Sequence, residues 1–335
     1  HTTRLKFIYI HQISSSSTTT NSQLLSISII NQGFCRCFTQ SNPRRPVIMA
    51  TVNDHHLTAS PSSKSTAKKT FLGLDIGAHE FYSAEMWKAL ATELVGSTLI
   101  LLSLATAAVG CSEAQHSDPK LTIPLFVFVI AFLFLYVTIP ISGGFLNPTF
   151  ATIAALKGVV TITRGLCCVV AECLGALLTS VLLRLTMAHP LAQKYSLAGC
   201  VINDAVSNSG VGQGTALVVE FTSAFLVLFT AVTVAFDRVR AKEIGLAGVA
   251  ALIATAYALA SFVGITVTGR AGYGGAGLNP ARCMAAAVVY GGPLWDGLWV
   301  FWVGPMLACF VYWAFSLTFA QERMVVTKEV EEPCV

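Results

Sequence analysis

Long apolar runs alternate with short polar breaks over most of the chain. Six runs, at about 87–109, 121–140, 165–188, 214–236, 244–268 and 295–320, each approach the ~20 residues that an α-helix needs to cross a bilayer. Two further runs, at about 148–158 and 280–290, are too short to span, and each begins at an Asn-Pro pair after a glycine-rich stretch. The pattern repeats. Asn147-Pro148-Thr149 returns 132 positions later as Asn279-Pro280-Ala281, and each copy closes a Gly-x-x-Leu-Asn-Pro string, Gly143 to Pro148 and Gly275 to Pro280. Two halves, about 87–188 and 214–320, thus carry a polar break at matching places, the mark of an inverted-repeat channel or transporter. The predicted fold is an all-α membrane protein with six transmembrane helices plus two re-entrant half-helices.

Local chemistry supports half-helices at the two breaks. Asn is a strong N-cap, and Pro suits the first helical position because its missing N–H would be unpaired there. The glycines ahead of each pair let the backbone turn sharply. A Gly-Asn-Pro surface turn is the competing reading for one copy. Two copies at matching places of two three-span halves argue against it. Non-helical backbone at membrane depth persists only where protein buries it or a wet cavity receives its polar groups.

Composition narrows the class. Of 335 residues, 54% are hydrophobic and only 11% charged, against roughly 25% charged in soluble domains. The net charge of +4 calls for no nucleic-acid partner, since membrane proteins carry excess Lys and Arg on cytosolic segments. Ten cysteines without CxxC or Cys/His spacing point to neither a metal site nor a disulfide framework. No nucleophile–base pair or cofactor motif marks an enzyme. Residues 1–48, rich in Ser, Thr, Asn and Gln, are read as translated leader ahead of Met49, or else as a basic, acid-free transit peptide. Residues 49–86 read as an N-terminal tail, 87–320 as the membrane domain and 321–335 as a C-terminal tail. With the N-terminus inside, Lys64, Lys68, Lys69, Lys88, Lys157, Arg164, Arg238, Arg240, Lys242, Arg323 and Lys328 fall inside, and only Lys120, Arg184, Lys194 and Arg270 outside. Both termini are therefore expected in the cytosol.

Ionisable residues inside the spans are functional candidates by their cost. Glu93 and Glu220 stand in the first span of each half, Glu172 in the third span, and Arg282 directly after the second box. The half-helix N-termini would carry partial positive charge, and Asn147 and Asn279 would cap the half-helices, aim amide N–H groups into a lumen, or do both. Arg282 either lines that lumen or snorkels to the headgroups.

Two Asn-Pro boxes, the Arg after the second, six spans and one Glu in the first span of each half together resemble the aquaporin (major intrinsic protein) family across about 87–320. The altered first box ending in Thr149, the second box Asn279-Pro280-Ala281-Arg282-Cys283 and the glycine-rich run 269–278 are most similar to the plant X intrinsic proteins. The resemblance implies a plasma-membrane homotetramer with one pore per subunit, membrane lipid around it and no cofactor. It implies that Glu93 and Glu220 accept hydrogen bonds from the re-entrant loops. Glu172 stands where the family usually has Gln, and is either protonated or paired with backbone N–H groups.

The resemblance also implies a selectivity filter. Counting from the boxes gives Val127, Val263, Ala276 and Arg282, with Ile265 as the other choice in the fifth span. Water channels of this family pair the Arg with a His and an aromatic residue, whereas two aliphatics and an Ala leave a wider, more apolar opening. The function expected is passive passage of small uncharged solutes (glycerol, urea, hydrogen peroxide, boric acid or metalloid hydroxides) with limited water flux and exclusion of protons and ions. A water-selective channel is the alternative. A proton-coupled transporter using Glu93, Glu172 and Glu220, and a closed structural protein, are readings of other classes. Cys283 is either a small packing residue or a thiol open to mercurials, and Cys111 and Cys200 are candidates for oxidation in outer loops.

Overall fold

The computed structural model describes residues 70–330 apart from 72–73, 115–117, 205–208 and 271. The leader reading of residues 1–48 and the tails up to 69 and from 331 lie outside the described residues. Among the described residues nine α-helices follow in order: α1 (Ala84–Glu113), α2 (Pro119–Ser142), α3 (Pro148–Leu156), α4 (Ile162–Thr186), α5 (His189–Tyr195), α6 (Gln213–Ala235), α7 (Arg238–Thr266), α8 (Pro280–Tyr290) and α9 (Val300–Val330). Among the described residues six segments are long and apolar enough to cross a membrane: α1, α2, α4, α6, α7 and Gly292–Thr318, which includes the start of α9. The half-helices α3 and α8 start at Pro148 and Pro280, as their boxes predict. The short helix α5, in the connection between the halves, has no counterpart in the apolar pattern.

Packing repeats with the sequence. In the first half α1 lies against α2 and α4; in the second α6 lies against α7 and α9. The helices α2 and α7 join the halves, and each half-helix packs on the third span of the opposite half, α8 on α4 and α3 on α9. The outer surface is apolar. Leu121, Leu125, Val129, Leu133, Val137 and Ile141 of α2 are exposed at a spacing of four, as are Leu166, Val170, Leu174 and Leu178 of α4. That spacing sets each residue beside the one four before it, as a continuous apolar ridge that winds along the helix surface. Such stripes facing outward mean that the solvent of this bundle is lipid or another subunit.

Two glycines at matching places let the first and third spans touch. A Cβ on Gly175 would stand 2.5 Å from the Leu94 carbonyl, and one on Gly304 would stand 2.6 Å from the Glu220 Cβ. Gly96 likewise has Leu146 where its Cβ would be, at 2.6 Å. Gly245, another small residue within the spans, packs against nothing within 4 Å; its φ of 75° instead breaks α7 near its start. The membrane-length part of α7 therefore begins at that kink, next to the predicted boundary at 244.

Gly175→Ala should lower the Tm of the purified protein, since overpacking of a tight contact costs about 1–3 kcal/mol. Gly110→Ala, in open space on the same α1–α4 pair, should leave Tm unchanged or raise it by helix propensity. Equal effects of the two would show that α1 and α4 are not in close contact.

Candidate functional site

The two half-helices begin where they meet. Asn147 caps α3 by accepting from the Thr149 N–H at 3.0 Å, and Asn279 caps α8 by accepting from Ala281 and Arg282 at 3.1 and 3.4 Å. Their amide nitrogens reach across. Asn147 Nδ2 donates to the Leu278 carbonyl at 2.8 Å, and Asn279 Nδ2 donates to the Leu146 carbonyl at 3.1 Å. The exchange is reciprocal, so the N-termini of α3 and α8 abut and their partial positive charges converge. Thr149, the unusual third residue of the first box, is buried with no partner for its hydroxyl among the described residues.

Both accepting leucines are strained. Leu146 has φ 53° and Leu278 φ 58°, a left-handed conformation that costs an L-residue about 1–2 kcal/mol. Buried carboxylates hold each in place. Glu93 accepts from the N–H groups of Phe145 and Leu146 at 3.1 and 2.6 Å. Glu220 accepts from Gly277 N–H and, at 3.1 Å, from Leu278 N–H. Glu172, which the sequence left either protonated or paired with backbone N–H groups, is fully buried, and neither of its oxygens is within hydrogen-bond geometry of a partner among the described residues; the Asn147 backbone and the Glu93 carboxyl are the polar groups beside it.

A cavity of about 420 Å³ runs from the α1–α2 end of the bundle to the two asparagines. Its wall includes Asn147, Asn279, Val127, Ala276 and Arg282, five residues singled out by the sequence. Val263 is not among them, and Ile265 is. The helix explains this correction: Tyr257, Ser261 and Ile265 recur every four residues on the cavity face of α7, and Val263 lies about 200° round the helix from Ser261. Neither Tyr257 nor Ser261 was singled out by sequence reasoning, although their spacing back from Ile265 was a usable signal. Gly264 packs on the other side of the wall, where a Cβ would come within 2.7 Å of Ala276.

Arg282 is held inward rather than snorkelling. Its Nη1 donates to the Ala198 carbonyl at 2.8 Å and its Nη2 to the Gly277 carbonyl at 3.3 Å. Ala198 ends three consecutive left-handed residues, Ser196, Leu197 and Ala198, with φ of 48°, 54° and 54°. This segment is anchored beside the Arg. Cys200 is disulfide-bonded to Cys283, with Cα atoms 5.0 Å apart, and Gly274 N–H donates to the Val201 carbonyl at 3.0 Å. Of the two readings of Cys283, a small packing residue or an open thiol, the open thiol does not hold, because its sulfur is bonded to Cys200. Cys111 is a buried free cysteine near the end of α1, not a partner of Cys200. The free cysteines Cys111, Cys167, Cys168, Cys173 and Cys309 do not line the cavity.

Peptide mapping without reduction should recover Cys200 and Cys283 in one linked peptide; both found alkylated as free thiols would overturn the pairing. Reduction should lower Tm, because opening a cross-link over 83 residues releases up to about 4–5 kcal/mol of denatured-state restraint.

The Major intrinsic protein family model matches residues 80–312. Aquaporin PIP2-7 of Musa acuminata is 30% identical over 228 residues, covering 66% of this chain and 77% of that protein. Aquaporin PIP2-7 of Arabidopsis thaliana is 30% identical over 243 residues, covering 70% and 80%. Among solved structures, the aquaglyceroporin from Plasmodium falciparum superposes with a TM-score of 0.55 at 16% identity, over 69% of this chain and 95% of that one, a likeness of fold. With two abutting Asn-Pro half-helices inside a duplicated six-span bundle, the chain belongs to the major intrinsic protein family of membrane channels, the aquaporins.

Proposed function

We propose that the chain is a passive channel for small uncharged solutes, such as glycerol, urea, hydrogen peroxide, boric acid or other metalloid hydroxides, with limited water flux. The observation that carries this reading is that Val127, Ile265 and Ala276 line the same cavity as Arg282, in a wall that holds no His among the described residues. Aliphatic walls accept the carbon side of a polyol but offer water no replacement for its lost hydrogen bonds. The guanidinium has five N–H donors, and two are spent on Ala198 and Gly277. The remainder are free to serve a hydroxyl or carbonyl on the passing solute. Its charge and the converging half-helix dipoles repel cations and hydronium, as in aquaporin-type pores generally.

A proton-carrier role is disfavoured for two of the three buried carboxylates. Glu93 and Glu220 each have both oxygens engaged by loop N–H groups, which fits a structural role better than a carrier. Within the family, Asn147-Pro148-Thr149 combined with Asn279-Pro280-Ala281-Arg282-Cys283 supports a place among the plant X intrinsic proteins. The same reading puts the termini in the cytosol, the protein in the plasma membrane and the Cys200–Cys283 bond outside the cell, where disulfides persist. It assembles the chain as a homotetramer, to which the apolar stripes on the bundle surface are suited.

Stopped-flow measurements on proteoliposomes test the selectivity. Glycerol and urea uptake should be well above empty vesicles with water flux only modestly raised; fast water flow without solute uptake would overturn the reading. Val127→Phe should cut glycerol flux more than water flux, and equal losses would put Val127 outside the constriction. Arg282→Val should raise proton or cation leak several-fold, whereas an unchanged leak would remove Arg282 from the barrier.

A further inference from the structure

The cavity stops at the asparagines. Beyond them, toward the α6–α7 end, lies a void of about 10 Å³, near the least that holds one water molecule. Leu135, Phe145 and Tyr257 line both spaces, so they form the partition between them. Tyr257 does more than fill volume. Its ring lies against Phe150 with centroids 5.8 Å apart, and its hydroxyl oxygen accepts from Asn147 Nδ2 at 3.0 Å.

That hydrogen bond breaks the symmetry of the boxes. A side-chain amide has two N–H donors. Each asparagine gives one to the opposite leucine carbonyl. Asn147 gives its second to Tyr257, whereas the second N–H of Asn279 has no protein partner among the described residues. The facing positions of α2, Val127, Ala131 and Leu135, are aliphatic and offer no acceptor.

We propose that Tyr257 is a second specificity-determining residue, in series with the wall around Arg282: its phenol occupies the place of a permeating hydroxyl on Asn147, and its ring with Phe150 closes the path. The proposal rests on the reading of the cavity as a solute path. A molecule crosses only by exchanging hydrogen bonds with the phenol and displacing the ring. A solute hydroxyl and a single water can both make that exchange at Asn147 and the phenol, but an unbroken file of waters does not form while the ring is in place. The device therefore lowers water flux more than it lowers flux of a small polyol.

The test compares wild type, Tyr257→Phe and Tyr257→Val in proteoliposomes, reading water and glycerol permeability in each preparation, with Tm checked for all three. Tyr257→Val, which removes ring and hydroxyl, should raise water permeability several-fold and raise the water-to-glycerol ratio. Tyr257→Phe keeps the ring and should fall between, its gain limited to about tenfold, the rate equivalent of one neutral hydrogen bond. Wild-type permeabilities in Tyr257→Val, at an unchanged Tm, would overturn the proposal while leaving a solute-conducting wild type intact. A wild type that conducts nothing beside a conducting Tyr257→Val would support it and overturn the solute-channel reading instead. If none of the three conducts, the obstruction lies elsewhere and the proposal fails. A raised Tyr257→Val with Tyr257→Phe at the wild-type level would overturn the part given to the phenol oxygen.

Discussion

Helices that begin in the middle of an apolar bundle must find partners for the backbone that leads into them, and here two carboxylates meet that constraint. Glu93 and Glu220 each gather two consecutive N–H groups, one of them on a left-handed leucine. An N–H left unpaired at this depth would cost about 1–3 kcal/mol, and the leucines alone would relax to an ordinary conformation. Because they are held left-handed, their carbonyls turn to the opposite asparagine. The abutting N-termini, the convergence of dipoles and the floor of the cavity all follow from that orientation.

The second half departs from strict symmetry on the side where selectivity is expected. Only the second Asn-Pro box is followed by an Arg and a cysteine, and the segment around Ala198 and Cys200 is bonded to both. The Ala198 carbonyl that positions Arg282 comes from three strained residues, whose conformation persists because anchors on either side over-determine it. Leu197 is buried and Cys200 is cross-linked. The charge lining the cavity thus depends on a loop outside the repeat as much as on its own helix.

What the sequence made legible obeys short-range rules. Asn at an N-cap with Pro behind it, a Glu alone in an apolar run, and runs near bilayer length each carry their meaning within a few residues, and the family resemblance extended them. The Val263 choice failed because the filter position was counted back through a glycine-rich stretch whose backbone is not helical, so neither period nor rise carries across it. Counting along the helix face itself, through Tyr257, Ser261 and Ile265, recovers the register. The Cys200–Cys283 pairing joins residues 83 apart through a connection with no periodicity, where sequence distance says nothing about space. Tyr257 looks in sequence like any aromatic in a membrane span. Its role appears only when Asn147, from the other half of the chain, is brought within reach.

The cross-link between Cys200 and Cys283 also bears on biogenesis. Cys200 leaves the translocation machinery before α6 and α7 exist, whereas Cys283 arrives at its place only when α8 has turned back into the bundle. The bond therefore closes only after α8 has reached its place, so a chain whose second re-entrant loop failed to fold inward would carry two unmatched thiols. The oxidised bond thus works as a molecular record of correct insertion.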